Sequence, residues 1–114
     1  MTAFDIAEDG SLGGRRTYAE LADAVPDGIC LDAEGAIWVA CPYGNRAIRV
    51  REGGEVADRV DLPGRDAFAC MLGGADRRTL FLCTAQESHP DRWKQLRKGR
   101  IERVRVDVPG AGLP

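Results

Sequence analysis

Two short apolar runs recur in this chain at a period of about 40 residues, the range in which repeats build propellers and solenoids. The first copy is Gly28-Ile29-Cys30-Leu31-Asp32 followed by Ala36-Ile37-Trp38-Val39-Ala40-Cys41. It returns as Phe68-Ala69-Cys70-Met71-Leu72 followed by Thr79-Leu80-Phe81-Leu82-Cys83, so that Cys30 matches Cys70 and Cys41 matches Cys83. A third run follows each copy, Ala47 to Arg51 and Arg100 to Val106. Met1 to Ile6, with its Asp9-Gly10 turn, reads as the third run of an earlier copy. The runs are short and end at glycine-rich turns, and no helical period extends across them, which predicts antiparallel β-structure.

The expected strands are Met1 to Ile6, Arg15 to Glu20, Gly28 to Leu31, Ile37 to Cys41, Ala47 to Arg51, Glu55 to Val60, Ala67 to Leu72, Thr79 to Thr84 and Arg100 to Val106. Ala33-Glu34-Gly35, Glu52-Gly53-Gly54 and Gly73-Gly74-Ala75-Asp76 place glycine where a hairpin turn needs positive φ. Ser88 to Gly99 breaks the pattern, because Ser88 can cap a helix, Pro90 suits a first turn and Gly99 can stop it. The segment is expected to be a short helical insertion. The fold class is therefore all-β, with about two blades of a propeller. Counting strands in fours assigns residues 1–25 to the outer half of one blade, 26–62 to a complete blade and 63–108 to a three-stranded one. Such a piece is expected to expose strand edges and apolar faces that neighbouring blades would cover, which favours self-assembly into a homo-oligomer or pairing with the missing blades.

Composition narrows the partners. The chain has 114 residues, 44% hydrophobic and 30% charged, with a net charge of −2. Neither nucleic acid nor an anionic membrane is expected as a partner of such a chain. No apolar run approaches the roughly 20 residues that span a bilayer, and the start Met1-Thr2-Ala3-Phe4-Asp5 lacks the profile of a signal peptide, so a cytoplasmic location is expected. No two of Cys30, Cys41, Cys70 and Cys83 form a C-x-x-C pair. Each lies in an apolar stretch, where a free thiol serves as a small hydrophobe; a disulfide or a metal site is the alternative.

The run Pro26-Asp27-Gly28-Ile29-Cys30-Leu31-Asp32-Ala33-Glu34-Gly35-Ala36-Ile37-Trp38-Val39-Ala40 closely resembles a signature of the senescence marker protein (regucalcin), gluconolactonase and lactonase family. The resemblance continues through Asn45-Arg46-Ala47-Ile48-Arg49-Val50, Asp61-Leu62-Pro63 and Cys70-Met71-Leu72-Gly73-Gly74-Ala75-Asp76. It implies the C-terminal portion of a six-bladed β-propeller, more than twice as long when complete. It also implies a divalent metal (calcium, zinc, manganese or magnesium) at the channel mouth, held by a glutamate, an asparagine and an aspartate from different blades. Asp27 matches that aspartate, a metal ligand and candidate general base for opening a small-molecule lactone. The other two ligands belong to upstream blades that this chain does not contain.

From the residues alone, Asp27 reads as an Asp-Gly turn carboxylate capping its own loop; the resemblance makes it a ligand. Tyr43 and Asn45 lie in the Pro42-Tyr43-Gly44-Asn45 loop, on the side inferred to carry Asp27, and are candidates for substrate contact. Asp32 and Glu34 read as solvated charges flanking a hairpin turn. His89, the sole histidine, has no neighbouring nucleophile with which to form a triad. Trp38 is expected in the core between blades, and Trp93 as the anchor of the short helix. The tail from Arg92 to Arg105 is basic and the front of the chain up to Glu34 mainly acidic, which reads as solvated faces or as complementary charge between chains. Two functions follow: a metal-dependent lactone hydrolase once the missing blades are present, or a non-catalytic partial propeller that assembles with itself or a partner protein.

Overall fold

The computed structural model of the protein describes residues 1–86 and 98–112. These contain nine strands: β1 Thr2–Ile6, β2 Leu12–Thr17, β3 Ile29–Leu31, β4 Ile37–Cys41, β5 Arg46–Val50, β6 Val56–Asp61, β7 Asp66–Gly73, β8 Thr79–Ala85 and β9 Arg100–Arg105. They form three antiparallel meanders in chain order, β1-β2, β3-β4-β5-β6 and β7-β8-β9. No helix is present among the described residues. The expected helical turn lies outside them except for Lys98 and Gly99, as do His89 and Trp93. Among the described residues no helix is long and apolar enough to cross a membrane.

The second strand differs from expectation. Rather than Arg15 to Glu20, β2 begins at Leu12 and runs through Gly13 and Gly14, residues whose poor strand propensity argues against pairing. The hairpin turn decides the register: Ala7 N–H donates to Ser11 O, which places Leu12 opposite Ile6. Tyr18 and Ala19 then leave the sheet and become buried. The Tyr18 hydroxyl reaches Gly35 O at 2.8 Å and Val50 O at 3.1 Å, so burial of the ring is won without stranding a polar atom.

Two cores flank the four-stranded sheet. One, including Trp38, Ala47, Cys70, Leu80 and Leu82, fills the space between it and the three-stranded sheet. The other joins Val39, Cys41, Ile48 and Val50 to Tyr18 and Ala19, with Met1 and Ala3 packed against it. The two inner strands β3 and β7 meet where Gly28 N–H donates to Phe68 O at 2.9 Å. A side chain at Gly28 would place its Cβ 2.6 Å from Ala69 Cα, so only glycine permits this approach. At the other end of β3 the chain returns as a strap: Ala33 N–H donates to Pro109 O and Ala111 N–H to Leu31 O.

The structure overturns the reading of Asp32 as a solvated turn charge, since the residue is 1% exposed. Its Oδ2 accepts from Arg49 Nε at 2.6 Å, and its Oδ1 accepts the backbone N–H groups of Glu34 and Ala36. Arg49 lies opposite Trp38 on β5 and extends to the turn, where it also meets the exposed Glu34 at 2.8 Å. Hydrogen bonding to Asp32 is the main reason why the Arg49 pKa rises above its usual value. The reading of Cys83 as a small hydrophobe in an apolar stretch also changes. Cys83 and Ile101, a cross-strand pair, point outward and are exposed, whereas Glu102 faces inward beside Thr84 and the buried Arg65.

Candidate functional site

The loops at one end of the four-stranded sheet gather the residues that the sequence singled out. Asp27 precedes β3, its backbone N–H donating to Ala40 O at 3.0 Å, near the end of β4. Its side chain is exposed. The next residue is wedged against β7, so the carboxylate stands where the inner strands of two adjacent sheets converge. Pro26 and Gly28 explain the placement: proline stiffens the approach, and glycine lets the backbone touch the neighbouring sheet.

Tyr43 and Asn45 follow β4 in the adjoining loop, at the same end as Asp27. Both have left-handed backbones, φ 70° for Tyr43 and 48° for Asn45. Asparagine tolerates this region, whereas a bulky residue in it is strained. Asp66, the first residue of β7, holds the loop: its Oδ1 accepts Tyr43 N–H at 3.0 Å and Asn45 Nδ2 at 3.4 Å. The Asn45 carbonyl accepts Leu62 N–H at 2.7 Å. Tyr43 remains 75% exposed and lines a cleft of about 300 Å³ between its own loop and residues 21–25. Asp66 was missed in the sequence because the Gly64-Arg65-Asp66 stretch reads as turn chemistry, and only the fold shows which loop it faces.

Asp32 and Glu34 are at the opposite end, tied to Arg49, and take no part in this arrangement. Hard divalent cations take about six or more oxygen ligands. Among the described residues no group of three or more carboxylate, cysteine or histidine side chains is arranged to hold a metal ion. These residues therefore do not by themselves fit a divalent-metal site. What the junction of β3 and β7 offers chemically is the exposed Asp27 carboxylate, at the same end of the sheet as a strained loop carrying a phenol and a carboxamide.

The model of the SMP-30/Gluconolactonase/LRE-like region matches residues 1–86. Regucalcin from Xenopus laevis is 37% identical over 100 residues, covering 83% of this chain and 33% of that protein. A 6-deoxy-6-sulfogluconolactonase from Pseudomonas putida is 32% identical over 118 residues, covering 97% of this chain and 40% of that one. The structure of a luciferin-regenerating enzyme superimposes with a TM-score of 0.73 at 27% identity, over 96% of this chain and 38% of the enzyme. The chain thus spans about a third to two-fifths of the length of the proteins it matches. Its three successive meanders are part of a β-propeller, and the chain belongs to the SMP-30/gluconolactonase/LRE-like family.

Proposed function

We propose that this chain supplies the Asp27 carboxylate to a lactone-hydrolysing site that is completed by propeller blades it does not itself contain. The observation that carries the reading is the position of Asp27, exposed at the junction of β3 and β7 and on the same end of the sheet as the Tyr43–Asn45 loop. The similar sulfogluconolactonase supports a lactone as the substrate class. In the reaction a water oxygen bonds to the lactone carbonyl carbon while Asp27 accepts its proton. The ring C–O bond then breaks, and the released oxygen takes a proton to give the open hydroxy acid. Tyr43 and Asn45 orient the polyol face of the substrate. The divalent cation of the family would bind to Asp27 together with ligands from other blades, in a cytoplasmic setting.

A chimera tests this. With this chain in place of the matching third of a regucalcin, gluconolactone hydrolysis is expected, and Asp27→Ala should lower kcat by about 10²–10⁴-fold. A folded chimera whose activity is indifferent to that substitution would refute the assignment.

A second reading rests on a different observation. Met71 and Ile101, 45% and 74% exposed, share the outward side of the three-stranded sheet with Cys83. Self-association through this sheet and its β9 edge would cover them, giving a homo-oligomer without lactonase chemistry. Sedimentation at micromolar concentration distinguishes the two: a monomer unaffected by Ile101→Ser removes this reading and leaves the first.

A further inference from the structure

The inner strands β3 and β7 carry Cys30 and Cys70, matching positions of successive repeats, and their Sγ atoms lie 3.8 Å apart in the core between two sheets. Each residue is 8% exposed, which keeps the pair away from other protein thiols. Both thiols are free. A disulfide needs the sulfurs to close to about 2.05 Å, a change on the scale of side-chain rotation. The neighbouring carbonyls do not oppose this. Cys70 Sγ touches Gly28 O and Trp38 O at 3.4 Å, but Gly28 O already accepts Ala40 N–H at 2.9 Å, and Trp38 sits opposite Cys30 in the β3-β4 ladder.

We infer that Cys30 and Cys70 form a peroxide-sensitive thiol pair whose oxidation bolts the four-stranded sheet to the three-stranded sheet. The two thiols are chemically unequal. Hydrogen bonding from Cys70 is the main effect that lowers the Cys30 pKa, whereas the same contact, followed by burial, raises that of Cys70. Either sulfur can attack as the thiolate while its neighbour resolves, and the lowered Cys30 pKa favours attack from that side. The Cys30 sulfur takes one oxygen from hydrogen peroxide, breaking the O–O bond and giving a sulfenic acid and, with a proton, water. The Cys70 sulfur then bonds to the Cys30 sulfur, and the sulfenic oxygen leaves with the Cys70 proton as a second water. Two thiols and one peroxide become one disulfide and two waters. Because 40 positions separate the cysteines, the bond closes a long loop of the unfolded chain, the case in which a cross-link constrains that chain most.

The test uses the 114-residue protein carrying Cys83→Ala, which removes the exposed thiol and with it intermolecular cross-linking. After treatment with stoichiometric hydrogen peroxide, denaturation, alkylation and peptide mass mapping, Cys41 alone should be alkylated. Cys30 and Cys70 should appear as one cross-linked peptide lighter by two hydrogen atoms, on a chain that runs as a monomer without reductant. The Tm should rise by about 10–20 °C and fall back when reductant is added. Alkylation of both Cys30 and Cys70, their separate oxidation to sulfinic acids, or a cross-link found only between chains would overturn the pair. A disulfide that left Tm unchanged would overturn the bolt. Cys30→Ser and Cys70→Ser should each abolish the linked peptide, and the mapping of the Cys83→Ala protein decides the matter even if either variant fails to fold.

Discussion

The four-stranded and three-stranded sheets have similar sequences and different surroundings. In the first, β4 and β5 are buried at every residue after the first, because cores lie against both faces. In the second, β8 alternates: Leu80, Leu82 and Thr84 are buried, whereas Phe81 is half-buried and Cys83 exposed. Yet Thr79-Leu80-Phe81-Leu82-Cys83 is nearly as apolar as Ile37-Trp38-Val39-Ala40-Cys41. A near-continuous apolar strand is suited to burial on both faces, and here only one face of β8 receives it. The repeat thus specifies a two-sided environment that the described part of the chain provides once.

The largest effect that should separate the sheets is a truncation at the core they share compared with one on the outward side. Trp38 is 0% exposed and packs between them, so Trp38→Ala should cost about 3–5 kcal/mol. Ile101 is 74% exposed, and Ile101→Ala should change stability by no more than about 0.5 kcal/mol. Urea unfolding of the two variants measures both. Comparable losses would mean that the outward side of β9 is covered in solution, and the contrast between the sheets would fail.

How much of this could be read in advance depends on which interactions set each feature. The inner and middle strands were legible because short apolar runs and the hairpin glycines that end them are signals carried within a few residues: β4 spans the expected Ile37–Cys41, and β8 differs from expectation by one residue. The start of β2 was not legible, since its glycines argue against a strand and pairing with β1 overrides them. Asp27 and the Tyr43–Asn45 loop could be placed at the same end of a blade by counting strands. The clamp from Asp66 could not, because it is supplied from the neighbouring sheet 21 to 23 positions away. Asp32 was misread for a related reason: its partner Arg49 lies 17 residues on, and nothing local indicates burial.

That buried pair gives the second prediction. The Asp32 side chain is 0% exposed and the Arg49 side chain 7%, so Asp32→Ala leaves a guanidinium in the interior and two turn N–H groups without an acceptor. Removing one partner of a buried pair costs about 3–5 kcal/mol, and the neighbouring Glu34 should reduce that toward the lower end. Adding Arg49→Met to Asp32→Ala should recover part of the loss, leaving the turn's unpaired donors as the remainder. Chemical denaturation of the two single variants and the double variant reads the coupling directly. Additive losses would show that the pair does not act as a unit.

The smallest expected effect lies at the β8-β9 side of the three-stranded sheet. Arg105 grips Asp76 with two bonds, Nη1 to Oδ1 at 2.9 Å and Nη2 to Oδ2 at 2.7 Å, and Arg78 N–H adds a third contact to Oδ1 at 3.2 Å. Hydrogen bonding from Arg105 is the main cause that lowers the Asp76 pKa to about 2. A carboxyl group depressed in the folded state releases its proton more readily there than in the unfolded chain, whose ordinary value is about 3.9. Its contribution to stability is therefore fully present above that ordinary value and is lost as pH falls from about 4 toward 2. Asp76→Asn should flatten that part of the acid unfolding curve by lowering stability slightly at neutral pH, where the contribution is present, while leaving it unchanged near pH 2. Both groups are solvent-exposed, 50% and 64%, so raising salt to about 1 M, where the screening length is about 3 Å, should weaken the dependence even in the unmodified protein. The Asp32–Arg49 pair is buried and so is screened much less, and most of the cost of Asp32→Ala should survive the same salt. Unfolding midpoints from pH 2 to 5 at low and high salt would show whether the two sheets differ in electrostatic exposure as they do in burial. A salt-independent acid limb that persists in Asp76→Asn would place its origin elsewhere in the fold.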